Sequence, residues 1–335
     1  MVSVKRKKQT GSWMIVGLFF LVFMASLLIG SERIPINQLL AMVGLHDEPV
    51  NPVYYQILVQ LRLPRALAAG LIGMALANSG VVFQTCFRNP LADPYMLGIS
   101  SGAALGASIS FVIPGLGPAW TGLFAFVGAL GALAFIYTIG WMNGKLDSTV
   151  LILSGIAVGF FLSAVVSLLA ALHQERMEQI IFWTMGSLNA IRFSQVRMII
   201  IPVLASLMIF FYHWKDLNLM VLGEEGAITT GTNAPRVSKI LLVIASLSTA
   251  FVVSVSGIIG FVGLVIPHLV RLAIGPNHRS LLPISAFAGA TFLMLSDVIA
   301  RTIVAPRQLP IGIITAFLGS PYFIYLIIGL KRRQS

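Results

Sequence analysis

The chain has 335 residues; 57% are apolar (Ala, Val, Ile, Leu, Met, Phe, Trp, Tyr, Cys) and only 10% are charged, with a mean hydropathy of +0.93. A soluble domain carries about a quarter charged residues, so a pair of soluble domains is excluded and most of this surface faces lipid. The formal net charge of +11 follows from basic residues collecting on the cytoplasmic side of a membrane and does not call for nucleic acid. The single cysteine, Cys86, excludes an intrachain disulfide, and no Cys or His cluster forms a zinc framework. No metal and no cofactor is expected.

The chain opens on Lys5, Arg6, Lys7 and Lys8, so residues 1–10 read as a basic cytoplasmic N-terminus. The uncharged run Gly11–Gly30 is the length of a membrane span. It lacks the short core and the cleavage site of a removed leader. Further apolar stretches lie at 66–87, 95–113, 118–142, 149–172, 196–213, 239–257, 258–274, 282–300 and 311–330. The reading is an all-α polytopic membrane protein of about ten transmembrane helices in a compact bundle. One transmembrane domain spans 11–330, with a cytoplasmic tail at 331–335. The division of 239–274 rests on Gly257, Gly260 and Gly263, which interrupt a run too long for one helix.

Both termini then lie in the cytoplasm. Of the 22 lysines and arginines, 14 fall in inside segments and 8 outside, and every lysine is inside, as the positive-inside rule requires. Gly98, Gly102 and Gly106 line one face of the third span, and Gly155 and Gly159 one face of the fifth. Such stripes let helices approach closely where lipid supplies no hydrophobic drive.

Charges inside the spans are few. Asp297 and Arg301 share a helix face near the outer end of the ninth span. They read either as a local ion pair anchoring the helix or as Arg301 held toward something arriving from outside. Arg62 and Arg65 flank Leu63-Pro64 at the outer start of the second span, where Pro suits a first helical turn. They read equally as interface anchors or as bidentate ligands for acidic groups. His268, after Pro267, reads as a packing residue, and His46, His173, His213 and His278 show no ligand spacing.

The longest inside loop, 214–239, contains VLGEEGAITTG (221–231), which reads as a solvated loop or as a short docking helix. The nearest approach to a nucleotide-binding loop, Gly140-x-x-x-Gly144-Lys145-Leu146, is one residue short and lacks the hydroxyl, so no ATPase site is expected. An ion-coupled carrier would place ionisable groups near mid-membrane. A membrane enzyme would need a catalytic constellation there. A substrate path driven by an external motor fits better than either.

NPLADPYMLGISSGAALGA (89–107) resembles the signature of the permease family of ABC importers for iron–siderophore complexes, haem and cobalamin. RLPR (62–65), VLGEEGAITTG, GFVGLVIPHLVRL (260–272), LSDVIAR (295–301) and LPIGIITAFLGSPYFIYL (309–326) follow in that family's order and spacing.

The resemblance implies a ten-helix subunit, not itself an enzyme, that pairs with a second permease subunit around a translocation path. Two cytoplasmic ATPase subunits and an extracytoplasmic substrate-binding protein are its implied partners. A coupling segment at about 219–235, with Gly223, Glu224, Glu225 and Gly231, would seat on the ATPase. Arg62 and Arg301, with Arg65 and Asp297 beside them, match the docking residues for the binding protein. Asn89 and Leu91 match one cytoplasmic gate loop, and Ser148 and Thr149 the other. Iron–siderophore complexes are the cargo this implies first, ahead of haem, cobalamin or an oxyanion.

Overall fold

The computed structural model describes residues 2–32, 34–42, 44–47, 49–117, 119–141, 148–221 and 233–332. All regular structure among them is helical, because backbone in hydrocarbon must satisfy its own N–H and C=O groups. The helices are α1 (Val2–Leu28), α2 (Ile36–Met42), α3 (Pro52–Cys86), α4 (Ile99–Val112), α5 (Ala119–Gly140) and α6 (Ser148–Leu172). They continue as α7 (Met177–Thr184), α8 (Phe193–Tyr212), α9 (Trp214–Met220), α10 (Ala234–Ser256), α11 (Val262–Ile274), α12 (His278–Thr302) and α13 (Ile311–Arg332). Among the described residues seven helices are long and apolar enough to cross a membrane, and α4, α11 and α13 carry shorter apolar stretches. Together these ten match the ten predicted spans.

Two spans differ from expectation. The second begins at Pro52, well before residue 66, as one continuous helix of 35 residues. Residues Arg62, Pro64 and Arg65 look like a boundary in sequence, yet the helix runs through them. The ring of Pro64 would collide with the carbonyl four residues back. The turns before it, Gln56–Arg62, are instead wound as a π-helix, with the Leu63 N–H donating to the Leu58 carbonyl.

The other difference follows Gly257. Helix α10 ends at Ser256, Gly257 takes a φ of +69°, and α11 starts only at Val262. The 13 residues of α11 cover about 20 Å, less than the roughly 30 Å of hydrocarbon. Irregular backbone at such a place must be paired within the protein. The Tyr95 hydroxyl donates to the Ile259 carbonyl at 3.1 Å and accepts from its N–H at 3.3 Å. The Ser187 N–H donates to the Ser256 carbonyl at 2.7 Å.

Helix α3 is the buried centre. It meets α12 where Gly73 faces Gly289, and α11 where Gly80 faces Gly263, backbone against backbone. The predicted stripes pack as well: Gly102 sits against the Gly128 carbonyl and Gly106 against the Phe124 carbonyl of α5. Gly155 lies on the Met96 carbonyl. Gly98 serves the backbone instead, since at φ +67° it turns the chain from the 3-10 turn Pro94–Leu97 into α4. Trp13, Met14 and Leu21 on α1, and Leu153, Phe160 and Phe161 on α6, remain exposed.

Candidate functional site

Two polar clusters lie at opposite ends of the α3–α12 pair. The outer one gathers Arg62 and Arg65 from α3 with Asp297 and Arg301 from α12, all buried. Arg65 Nε donates to Asp297 Oδ1 at 2.7 Å, and its Nη1 donates to Gln308 Oε1 at 2.6 Å. Arg301 Nε stands 3.6 Å from Asp297 Oδ2. One carboxylate thus faces two guanidiniums, with a third close by.

The excess positive charge is met by the end of α1. Arg62 Nη1 donates to the Leu27 carbonyl at 2.9 Å and to the Leu28 carbonyl at 2.7 Å, and its Nη2 donates to the Glu32 carbonyl. Arg301 Nη2 donates to the Ser26 carbonyl at 2.5 Å. The carbonyls of Ser26, Leu27 and Leu28 are the unpaired ones of a helix C-terminus, where the macrodipole favours cations, and Glu32 follows the helix end. The four outer residues singled out in the sequence therefore come together. They do so behind α1, and Arg62 is only 5% exposed and Arg301 4%.

The inner cluster surrounds the turn after α3. The Asn89 side chain accepts the Leu91 N–H at 2.9 Å, and the Asn89 N–H donates to the Gln84 carbonyl at 3.1 Å. Asp93 caps the next turn by accepting the Tyr95 N–H at 2.8 Å. Burial pushes the Asp93 carboxyl up to about 6, against the opposing pull of that hydrogen bond. Ser148 and Thr149 open α6, seven residues before Gly155 meets Met96. The start of α6 is thereby tied to the same stretch of chain as the turn after α3. Gly223, Glu224, Glu225 and Gly231 lie outside the described residues.

Behind this turn, His278 fastens three elements. Asn218 Oδ1 on α9 accepts both the backbone N–H and Nδ1–H of His278 at 2.9 Å, which places a ring proton on Nδ1. His278 Nε2 meets the Thr85 hydroxyl at 2.9 Å. Gln84 donates to the Leu264 carbonyl at 3.1 Å and accepts from Arg271 at 3.2 Å. A cavity of about 260 Å³ opens here, lined by Gln84, Thr85, Arg88, Val221, Arg271 and His278 among others. Helix α9, which leads into 222–232, is therefore bolted to the inner ends of α3 and α12.

Sequence reasoning missed Gln308, Asn218, Thr85 and the α1 carbonyls. The His278 contacts join residues 60 and 193 positions apart, so no local spacing could announce them. Among the described residues no group of three His, Cys, Asp or Glu side chains comes together as a metal site.

Known proteins resemble this chain over most of its length. The model of the FecCD transport family matches residues 18–329. The chain is 38% identical over 324 residues to the hemin transport system permease protein HmuU of Yersinia pestis, covering 95% of this chain and 96% of that one. It is 40% identical over 277 residues to the cobalamin import system permease protein BtuC of Halobacterium salinarum, covering 82% and 74%. A solved transporter assigned to the metal-chelate type, in an inward-facing conformation, superposes with a TM-score of 0.84 at 32% identity over 95% of this chain and 98% of that one. The chain belongs to the FecCD transport family: it is a multi-pass membrane permease subunit of an ABC importer, and its work is transport, not catalysis.

Proposed function

We propose that this permease carries iron–siderophore complexes into the cytoplasm, driven by ATP hydrolysed on two separate subunits. An extracytoplasmic binding protein delivers the cargo, and a second permease subunit, identical or paralogous, completes the path. Relatives named for hemin and cobalamin support a metal chelate as cargo. Haem or cobalamin is the second reading on the same ground.

The observation that carries the docking part is the outer cluster, where one carboxylate faces the Arg65 and Arg301 guanidiniums and Arg62 lies close by. Such an excess of positive charge suits acidic groups on a partner, which arginine grips bidentately. On the inner side, 221–231 would act as the coupling helix, with Glu224 and Glu225 meeting basic residues of the ATPase. Closure of the ATPase pair shifts the helices only if inward- and outward-open states differ in their contacts with that motor. Asn89, Leu91, Ser148 and Thr149 would bound the cytoplasmic exit.

The test is uptake in cells lacking the gene, with and without its restoration. The panel is radio-iron on several siderophores, haem and labelled cobalamin, each with ATP present or depleted. ATP-dependent rescue for iron–siderophore alone is expected. Rescue for haem or cobalamin alone reassigns the cargo, and rescue that survives ATP depletion but falls with the ion gradient overturns the importer reading.

A further inference from the structure

We propose that the end of α1 is a latch over the outer arginines and that Gly30 is the residue that lets it close. The inference rests on the reading of Arg62 and Arg301 as docking residues, and it concerns how that site is regulated. Four backbone carbonyls, of Ser26, Leu27, Leu28 and Glu32, hold the two guanidiniums. The Ser31 hydroxyl fastens the same segment from the other direction, donating to the Arg301 carbonyl at 2.9 Å. Arg307, on the connection after α12, is by contrast exposed. A carboxylate arriving from outside meets the α1 end before it meets Arg62 or Arg301.

Exchange is chemically favourable once the segment moves. The bonds from a guanidinium to the carbonyls carry charge on the donor alone, whereas a carboxylate adds the opposite charge and a bidentate, two-bond grip. The carbonyls therefore act as a resident ligand, displaced by a stronger one.

Gly30 sets how tightly the latch fits. A Cβ at this position would lie 2.6 Å from Arg62 Nη2, 2.8 Å from Cζ and 2.9 Å from Nε. The atoms in the way are the far end of a flexible side chain. An alanine at position 30 therefore displaces the Arg62 head from its carbonyls and leaves the helices in place.

The experiment uses the complete transporter in lipid nanodiscs, treated with phenylglyoxal, with arginine modification followed by peptide mass spectrometry. Because opening must precede reaction, wild-type Arg62 is expected to react about tenfold more slowly than Arg307. Gly30→Ala is expected to raise the Arg62 rate to near that of Arg307, with the Arg307 rate and ATP hydrolysis unchanged. In cells, Gly30→Ala is expected to lower the cargo concentration for half-maximal uptake several-fold, and Arg62→Gln to raise it. Gly30→Ser serves as a second displacing variant should alanine impair assembly.

Equal reactivity of Arg62 and Arg307 in the wild type overturns the latch, as does an Arg62 that stays protected in both Gly30 variants. If protection is lost on schedule but Arg62→Gln leaves uptake intact, the docking reading falls and the latch loses its role. If Arg62→Gln impairs uptake while Gly30→Ala changes nothing, docking stands and the latch alone is wrong.

Discussion

Arg65 and Asp297 are 232 residues apart in the chain and 2.7 Å apart in the fold, and their contact ties the outer end of α3 to that of α12. Asp297 is also the carboxylate nearest Arg301. Removing it leaves buried guanidiniums with no counter-charge. Asp297→Asn is expected to destabilise the protein by about 3–5 kcal/mol, the usual cost of breaking a buried pair from one side. The double change Arg65→Met with Asp297→Leu is expected to cost less than Asp297→Leu alone, because it leaves one buried guanidinium without its carboxylate and not two. Thermal melting of the four proteins in detergent checks both. Equal melting of wild type and Asp297→Asn would show the pair to be energetically idle.

Gly106 is in direct contact with the Phe124 carbonyl of α5, a backbone atom that cannot rotate away. Gly106→Ala must push α4 and α5 apart, with an expected loss of about 1–3 kcal/mol, typical of overpacking. Gly131, on α5 with nothing near its missing side chain, is the matched control: Gly131→Ala should be neutral or slightly stabilising, since alanine favours a helix by about 1 kcal/mol over glycine. Melting temperatures of the two variants decide the point.

Asp93 predicts a pH dependence. Its carboxyl titrates near 6 in the fold, above the roughly 3.9 of an unfolded aspartate. The folded state therefore holds the proton more tightly. The contribution is fully present below about pH 4 and is lost as pH rises through 6. Asp93→Asn, which keeps an acceptor for the Tyr95 N–H, should flatten the melting temperature between those limits. A slope identical to wild type would place the titration elsewhere.

Under the proposed function, Glu224→Lys with Glu225→Lys should separate ATP hydrolysis from uptake or prevent the ATPase from co-purifying. Normal coupling and normal co-purification would remove 221–231 from the mechanism.

The number of spans was legible because run length and glycine placement reflect bilayer thickness and helix contact, both local properties. The break at Gly257 is of this kind, since only a residue free to take φ +69° could end α10 there. The start of α3 was not legible: Arg62 and Arg65 read as interface anchors or as ligands for acidic groups at a helix start, and their burial depends on Asp297, Gln308 and the α1 carbonyls. Backbone carbonyls leave no mark in a sequence. Asn218 and Thr85 were invisible for a related reason, being ordinary polar residues whose partner, His278, is brought to them only by the packing of α12.

The glycine contacts of α3 have a mechanical consequence. Where Gly73 meets Gly289, α3 and α12 touch through main-chain atoms with no side chain between them to flex. Arg65 and Thr85 lie toward opposite ends of α3, and Asp297 and His278 toward opposite ends of α12. The two helices are thus riveted near both ends and fused in the middle, forming a single strut about 30 Å long between its rivets by helical rise. A strut of this kind carries a tilt imposed at one membrane face toward the other, and the turn of α12 that holds Pro283 is the place where it can bend.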